Sequence, residues 1–150
     1  MRRLGNVYEL KTGRGLAYLQ HTYEHPEYGS LIRVLPGLHE SRPRDLSEVT
    51  KAKELYFVFF PVKAAARMRI VERVETCGIP QGSEKPAVMR RPGARAQDGR
   101  VKTWFINNGK SETLVTHLNE DQRDLSIMAI WNDTLLISRI ESEWQPSHEV

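Results

Sequence analysis

The sequence contains a single cysteine, Cys77, and no apolar run long enough to cross a membrane. One cysteine excludes a disulfide within the chain, which is typical of proteins that fold in a reducing compartment. The longest apolar run, LYFVFFPV at residues 55–62, has the length of a strand, whereas a membrane-spanning helix needs about 20 apolar residues. The opening MRRLGNVYELKTG has no apolar stretch behind its two arginines, so we expect no secretory signal. These features favour a cytoplasmic protein that has no membrane partner.

The sequence also lacks the patterns that mark common catalytic, metal and phosphate sites. No local motif links a histidine to Cys77, as a cysteine nucleophile would require. The glycines of TGRG, residues 12–15, do not match a dinucleotide-binding or P-loop motif. His21, Glu24 and His25 are candidate metal ligands, but His21 and His25 would lie about 13 Å apart on an extended strand. We therefore expect no enzymatic activity, no cofactor and no metal site.

Short strand-like segments make up most of the first half of the chain. Its 150 residues fit one domain, residues 1–150. NVYELK (6–11), LAYLQHTYE (16–24) and SLIRVL (30–35) are separated by turns rich in glycine and proline. Such segments joined by short turns predict an antiparallel meander.

Further strands are predicted in the middle of the chain. ELYFVFFPV (54–62) is apolar at odd and even positions, which predicts a strand buried on both faces at the centre of a sheet. RMRIVERVE (67–75) shifts phase, which indicates a strand with a bulge or an early end. Residues 78–100, rich in glycine, proline and charge, predict a long basic loop. Asn108-Gly109 predicts a two-residue hairpin turn.

IWNDTLLISRIESEW, residues 130–144, predicts one clear helix. Asp133 is a suitable N-cap for a helix over 134–144. An exposed pair between Arg139 and Glu143 would support the helix. The predicted fold class is α+β, with a mostly antiparallel twisted sheet of about six or seven strands (a meander plus a hairpin) and a C-terminal amphipathic helix packed on it. The apolar face of that helix consists of Leu136, Ile137, Ile140 and Trp144.

Charge is distributed unevenly along the chain. The net charge of +3 divides into +2 for residues 1–62, +6 for 63–102 and −5 for 103–150. Such a layout can steer a charged partner. The predicted acidic partner-binding residues are Asp121, Asp124, Asp133, Glu141 and Glu143. The alternative basic patch consists of Lys85, Arg90, Arg91, Arg95 and Arg100.

The order of several short motifs carries a family resemblance. GNVYEL is followed by GRGLAYLQ, LYFVFF, TWFI and finally IWNDTLLISRIESEW. This layout resembles the immunity protein 26 family of bacterial polymorphic-toxin systems. The resemblance implies a small cytoplasmic protein that binds one cognate toxin, blocks it by stoichiometric occlusion and has no catalytic residues of its own. The positions that match the family pattern, with implied roles in turn geometry and core packing, are Gly5, Tyr8, Gly15, Trp104 and Trp131.

The sequence leaves two classes of partner open, a protein toxin and a nucleic acid. If the toxin is a nuclease with a basic cleft, the acidic residues would suit it, whereas an acidic toxin would suit the basic loop. The alternative function is a nucleic-acid-associated module that uses residues 63–102. Aromatic residues are absent from 61–103, which argues against single-strand binding through this segment. The oligomeric state also stays open.

Overall fold

The computed structural model describes residues 4–150, so the two arginines of the opening stretch lie outside the described residues. Residues 4–150 form eight strands and four α-helices. The strands divide into an antiparallel five-stranded sheet and a three-stranded sheet, and a helix lies near the C-terminus. The predicted α+β class is confirmed. The strands total eight, and they form two sheets instead of one.

The five-stranded sheet begins with the predicted meander, because each of the first three strands is joined to the next by a short turn. One of these turns requires glycine at Gly15, where φ is +130° and a β-carbon would lie 2.9 Å from the His39 carbonyl oxygen. The sheet order is β4-β3-β2-β1-β5. The strands are β1 (Asn6–Thr12), β2 (Gly15–His25), β3 (Gly29–Val34), β4 (Tyr56–Phe59) and β5 (Val71–Thr76).

Strand β4 is buried on both faces, as predicted, but the prediction of a central position is wrong. It is the edge strand of its sheet, and residues 126–131 run along its open side. There the Phe57 N–H donates to Ser126 Oγ at 2.9 Å, and the Trp131 N–H donates to the Phe59 carbonyl at 2.9 Å. This cover explains how an edge strand can be apolar on both faces.

The three-stranded sheet lies on the other side of residues 126–131. It consists of β6 (Met89–Pro92), β7 (Trp104–Asn107) and β8 (Glu112–Val115), in that order. The Met128 N–H donates to the Arg90 carbonyl at 2.8 Å, which joins the covering segment to β6. The predicted loop at 78–100 therefore contains a strand. Sequence patterning missed β6 because it is short and carries two arginines.

The predicted hairpin at Asn108-Gly109 is confirmed, but its loop has four residues, 108–111, instead of two. The Asn108 side-chain oxygen accepts hydrogen bonds from the Lys110 and Ser111 N–H groups, both at 2.9 Å. Gly109 has a φ of +87°. The asparagine side chain thus accepts hydrogen bonds from backbone N–H groups that could otherwise pair between the strands, and the turn is longer.

The helices are α1 (Leu46–Lys51), α2 (Val62–Arg67), α3 (Glu120–Arg123) and α4 (Asp133–Glu141), followed by a short 3-10 turn at Pro146–His148. Helix α2 explains the shifted phase of residues 67–75, since strand β5 begins only after a turn at Arg69 with a φ of +61°. The N-cap of α4 is Asn132, whose side chain accepts from the Leu135 N–H at 2.8 Å, and Asp133 is the first helical residue.

Helix α4 packs on the five-stranded sheet through its apolar face, as predicted. Leu136 is fully buried and belongs to a core cluster with Trp131 and residues of β1 to β4. Ile137, Ile140 and Trp144 are partly buried against the same cluster. Among residues 4–150, no helix has the length and apolar character that a membrane span requires.

Candidate functional site

Helix α4 ends in two backbone hydrogen bonds that normally accompany a glycine. The Trp144 N–H donates to the Arg139 carbonyl at 2.9 Å, and the Glu143 N–H donates to the Ile140 carbonyl at 3.2 Å. This pattern requires a left-handed residue one position past the cap, and Glu143 takes that position with a φ of +56°. A glycine would adopt this conformation without strain, so the glutamate is locally unfavourable.

The tip of the β1–β2 hairpin contacts this helix end. The Glu141 carboxylate accepts a hydrogen bond from the Gly13 N–H, and Arg14 Nη1 donates to the Glu141 carbonyl at 2.6 Å. Arg14 Nη1 also lies 3.9 Å from the Glu143 carboxylate. Arg14 therefore satisfies a terminal carbonyl of α4 that has no partner within the helix.

Three aromatic rings form a cluster beside the end of α4. Tyr56, Trp131 and Trp144 contact one another with ring centroids 5.1–5.7 Å apart. The Arg139 guanidinium lies over the Trp131 and Trp144 rings, at 4.5 and 4.3 Å from their centroids. Its carboxylate partner is Glu149 at 3.2 Å, so the predicted Arg139–Glu143 pair does not form. Burial raises the pKa of the Tyr56 hydroxyl.

A cleft of about 380 Å³ lies between the end of α4, the segment after β3 and the start of β4. Its apolar walls include Leu38, Leu55 and Ile140, and Leu55 is 48% exposed. Tyr56 and Trp144 add aromatic surface, and the charged side chains of Arg14 and Glu143 also line it. Apolar side chains at the centre with charged groups around them are the usual arrangement of a protein-binding hot spot.

The predicted acidic residues lie in three separate places. Asp121 and Asp124 are exposed in and directly after α3, and Asp133 lies in the first turn of α4. Glu141 and Glu143 are at the opposite end of α4, about 12 Å from Asp133 along the axis. Of the five, Glu143 alone lines the cleft. Glu143 was predicted by its charge, whereas Arg14, Leu38 and Leu55 were not predicted, because they lie far from α4 in sequence.

Arg90 cannot belong to a surface patch, so that part of the basic-patch prediction is wrong. Its side chain is fully buried and lies over the Trp104 ring at 4.2 Å. Its guanidinium donates to four backbone carbonyls. The accepting carbonyls belong to Arg123, Leu125, Pro146 and Glu149.

Each of the other predicted basic residues contacts a different part of the protein. Arg91 binds both carboxylate oxygens of Glu112, at 2.9 and 2.8 Å. Arg95 donates to the Gly99 carbonyl at 2.9 Å, and Arg100 donates to the Val150 carbonyl at 3.4 Å. The Lys85 ammonium lies over the Tyr23 ring, 4.5 Å from its centroid, beside a second cavity of about 250 Å³ between the two sheets.

The residues that match the family pattern lie in turns and in the core. Gly5 has a φ of +98°, and a β-carbon there would lie 2.5 Å from the Cys77 carbonyl oxygen. Gly15 occupies the tight position beside His39 described above. Tyr8, Trp104 and Trp131 are each at most 4% exposed.

His21 is fully buried, and its Nε2 lies 2.8 Å from the Glu24 carboxylate, which also contacts Lys63. Burial lowers the pKa of His21 below its usual 6.5, although Glu24 acts in the opposite direction. As the pH falls, His21 is therefore protonated in the unfolded chain at a higher pH than in the folded chain. We expect the stabilising contribution of neutral His21 to be complete above about pH 6.5 and to be lost as the pH falls, with a slope of up to about 1.4 kcal/mol per pH unit.

Chemical denaturation between pH 5 and 8 measures this slope. The variant His21→Gln should flatten the profile near pH 6, whereas His117→Gln, at an exposed histidine, should leave it unchanged. An equally steep profile in His21→Gln would assign the acid sensitivity to other groups.

Burial raises the pKa of the half-buried Cys77 thiol, which lowers its thiolate fraction. Within the described part of the chain, no three His, Cys, Asp or Glu residues converge as metal ligands would. The cleft beside α4 combines apolar, aromatic and charged side chains, which is a composition that suits protein binding. No protein-family model, no curated protein and no solved structure matches this chain.

Proposed function

We propose that this chain is an immunity-type protein that binds one cognate bacterial toxin and neutralises it by stoichiometric occlusion, without chemistry of its own. The cleft at the end of α4 is the observation that carries the proposal. It presents exposed Leu55 and half-buried Trp144 beside the charged Arg14 and Glu143. The motif order that resembles the immunity protein 26 family supports the same function.

The charge distribution supports a basic partner over an acidic one. Residues 103–150 carry a net charge of −5, and Asp121, Asp124 and Glu143 are exposed. The basic segment offers less free charge than its composition suggests, because Arg90 is buried and Arg91 is paired with Glu112. A toxin with a basic active cleft, as nucleases have, would be attracted by these exposed carboxylates.

The proposal is tested by affinity purification of the tagged chain from its own cells, at two salt concentrations and with and without added nuclease. We expect one salt-resistant protein in a near 1:1 ratio, whose expression alone is toxic and whose toxicity disappears when this chain is co-expressed. Retention of salt-labile, nuclease-sensitive material would instead support the nucleic-acid-associated module. A partner whose toxicity persists on co-expression would contradict neutralisation.

Charge reversal then tests how the partner is attracted. The triple variant Asp121→Lys, Asp124→Lys and Glu143→Lys should slow association about tenfold or more at low salt and less at high salt, because screening weakens long-range attraction. The matched control reverses three exposed acids outside α3 and α4, namely Glu27, Glu75 and Glu84. Equal slowing in both triple variants, measured by stopped-flow association, would show that only net charge matters.

A further inference from the structure

We propose that the cleft beside α4 receives an arginine side chain of the partner, with its guanidinium against Trp144 and Glu143 and its aliphatic stem along Leu38 and Leu55. The proposal rests on the proposed function for the source of the arginine. The binding chemistry itself belongs to the cleft and can be measured without the partner.

The aromatic cluster already holds one guanidinium. Arg139 lies 4.3 Å from the centroid of the Trp144 ring and 4.5 Å from that of Trp131. Tryptophan is the aromatic side chain that attracts cations most strongly, and arginine is the cation most often found over it. Trp144 also lines the cleft, where Tyr56 meets it edge to face at 88°. The cleft therefore contains aromatic surface next to a ring that already binds a guanidinium.

The charges around the cleft favour a cation. The end of α4 carries two carboxylates, of which that of Glu143 lies 3.9 Å from the Arg14 guanidinium and that of Glu141 accepts from the Gly13 N–H. The Arg139 charge is matched by Glu149. The Glu141 carboxylate is used by the hairpin tip, but that of Glu143 is 78% exposed and lies 3.9 Å from its nearest cation. Glu143 is therefore the carboxylate that an entering guanidinium can pair with.

The backbone at Glu143 supports a role for this side chain in binding. Its φ of +56° is a conformation that a glycine would adopt without strain. A glutamate at this position makes the helix end less stable and makes only one distant ion pair in return. Strained residues of this kind are concentrated at binding and catalytic sites.

The shape of the cleft distinguishes arginine from a compact cation. Leu38, Leu55 and Ile140 provide apolar wall on the approach to Trp144. An arginine side chain has three methylene groups that can cover such a wall and a flat guanidinium that stacks on a ring. A lysine has the stem but lacks the planar group.

The test titrates the full chain with the capped peptide acetyl-Gly-Arg-Gly-amide and follows the indole N–H of Trp144 by NMR. The matched probe is the same peptide with citrulline, which is nearly isosteric with arginine and uncharged. We expect a saturable shift with a dissociation constant of about 1–10 mM for the arginine peptide, and at least fivefold weaker binding for citrulline and lysine peptides. Equal affinity for arginine and citrulline, or no saturable shift below about 50 mM arginine peptide, would overturn the proposal.

Three variants assign the effect to Glu143. Glu143→Gln keeps the strained backbone and should weaken arginine binding about fivefold or more. Glu143→Gly should weaken binding equally while raising the melting temperature, because it relieves the strain. Glu120→Gln, at an exposed acid in α3, should change neither quantity. Unchanged arginine binding in Glu143→Gln would contradict the assigned role of its carboxylate.

The outcomes separate this proposal from the proposed function. If the arginine peptide binds but purification yields no toxin, the cleft assignment holds and the immunity function fails. If a toxin is neutralised but the peptide does not bind and Glu143→Gln leaves its affinity unchanged, the toxin binds elsewhere and the cleft assignment fails.

Discussion

Replacing Arg90 with leucine is expected to lower the free energy of unfolding by about 3–5 kcal/mol. The arginine donates to four backbone carbonyls, of which those of Leu125, Pro146 and Glu149 lie 35 to 59 positions away in sequence. Leucine would remove these donors and leave the partly buried carbonyls of Leu125 and Glu149 without a side-chain donor. Burial lowers the pKa of Arg90 to about 10, so its charge and all its donors are retained at neutral pH. The loss is a large part of the 5–15 kcal/mol that typically stabilises a domain.

The neighbouring Arg91 provides the control for Arg90. Arg91→Leu removes the same charge one residue away, but its pair with Glu112 is partly exposed. We expect a change of about 1 kcal/mol or less. Urea denaturation measures both variants, and hydrogen exchange should show faster amide exchange of residues 123–125 and 147–149 in Arg90→Leu alone. Equal destabilisation by the two variants would mean that the carbonyl contacts of Arg90 contribute little.

Replacing Arg33 with methionine is expected to have a similar effect, a loss of about 3–5 kcal/mol. Arg33 is fully buried in β3 and binds the Gln20 side chain at 2.8 Å and the Glu54 carboxylate at 3.3 Å. It also donates to the carbonyls of Thr50 and Ala52 at the end of α1. Methionine would fill much of the volume but leave the Glu54 carboxylate, which is 9% exposed, without a cation.

A double-mutant cycle tests the Arg33–Glu54 pair. Glu54→Gln removes the unmatched charge, so Arg33→Met/Glu54→Gln should be less destabilised than the sum of the single variants, by about 1–3 kcal/mol. The matched pair for comparison is exposed Glu48 and Lys51, which are 2.8 Å apart, and its coupling should be about 0.5 kcal/mol or less. Simple additivity at Arg33 and Glu54 would show that the backbone carbonyls, not the carboxylate, dominate the contribution of Arg33.

Several elements were predictable because their signals are local. The alternating residues of β1 to β3 and their glycine turns determine a meander over neighbouring parts of the chain. The apolar spacing from Leu136 to Trp144 likewise determined the buried face of α4. The hairpin at Asn108-Gly109 was predictable in place but not in loop length, because the side-chain oxygen of Asn108 competes for backbone donors.

Other features depended on residues distant in sequence. A central strand and a covered edge strand have the same apolar sequence pattern. Strand β4 is a covered edge strand because residues 126–131 run along its open side. Arg90 and Arg91 are adjacent arginines with no local difference, yet one is buried under carbonyls 33 to 59 positions away and the other is paired at the surface. The candidate cleft likewise combines the β1–β2 turn, the segment after β3 and the end of α4.

By itself, therefore, the sequence determined the α+β class, the meander, the hairpin and the amphipathic face of the last helix, because periodicity and turn chemistry act over neighbouring residues. The tertiary structure alone decided which charges are buried, which edge is covered and where a cleft forms. Those outcomes depend on long-range packing that brings carbonyls, carboxylates and rings together from separate segments. The same packing brings Glu143, Trp144 and Leu55 together at the cleft.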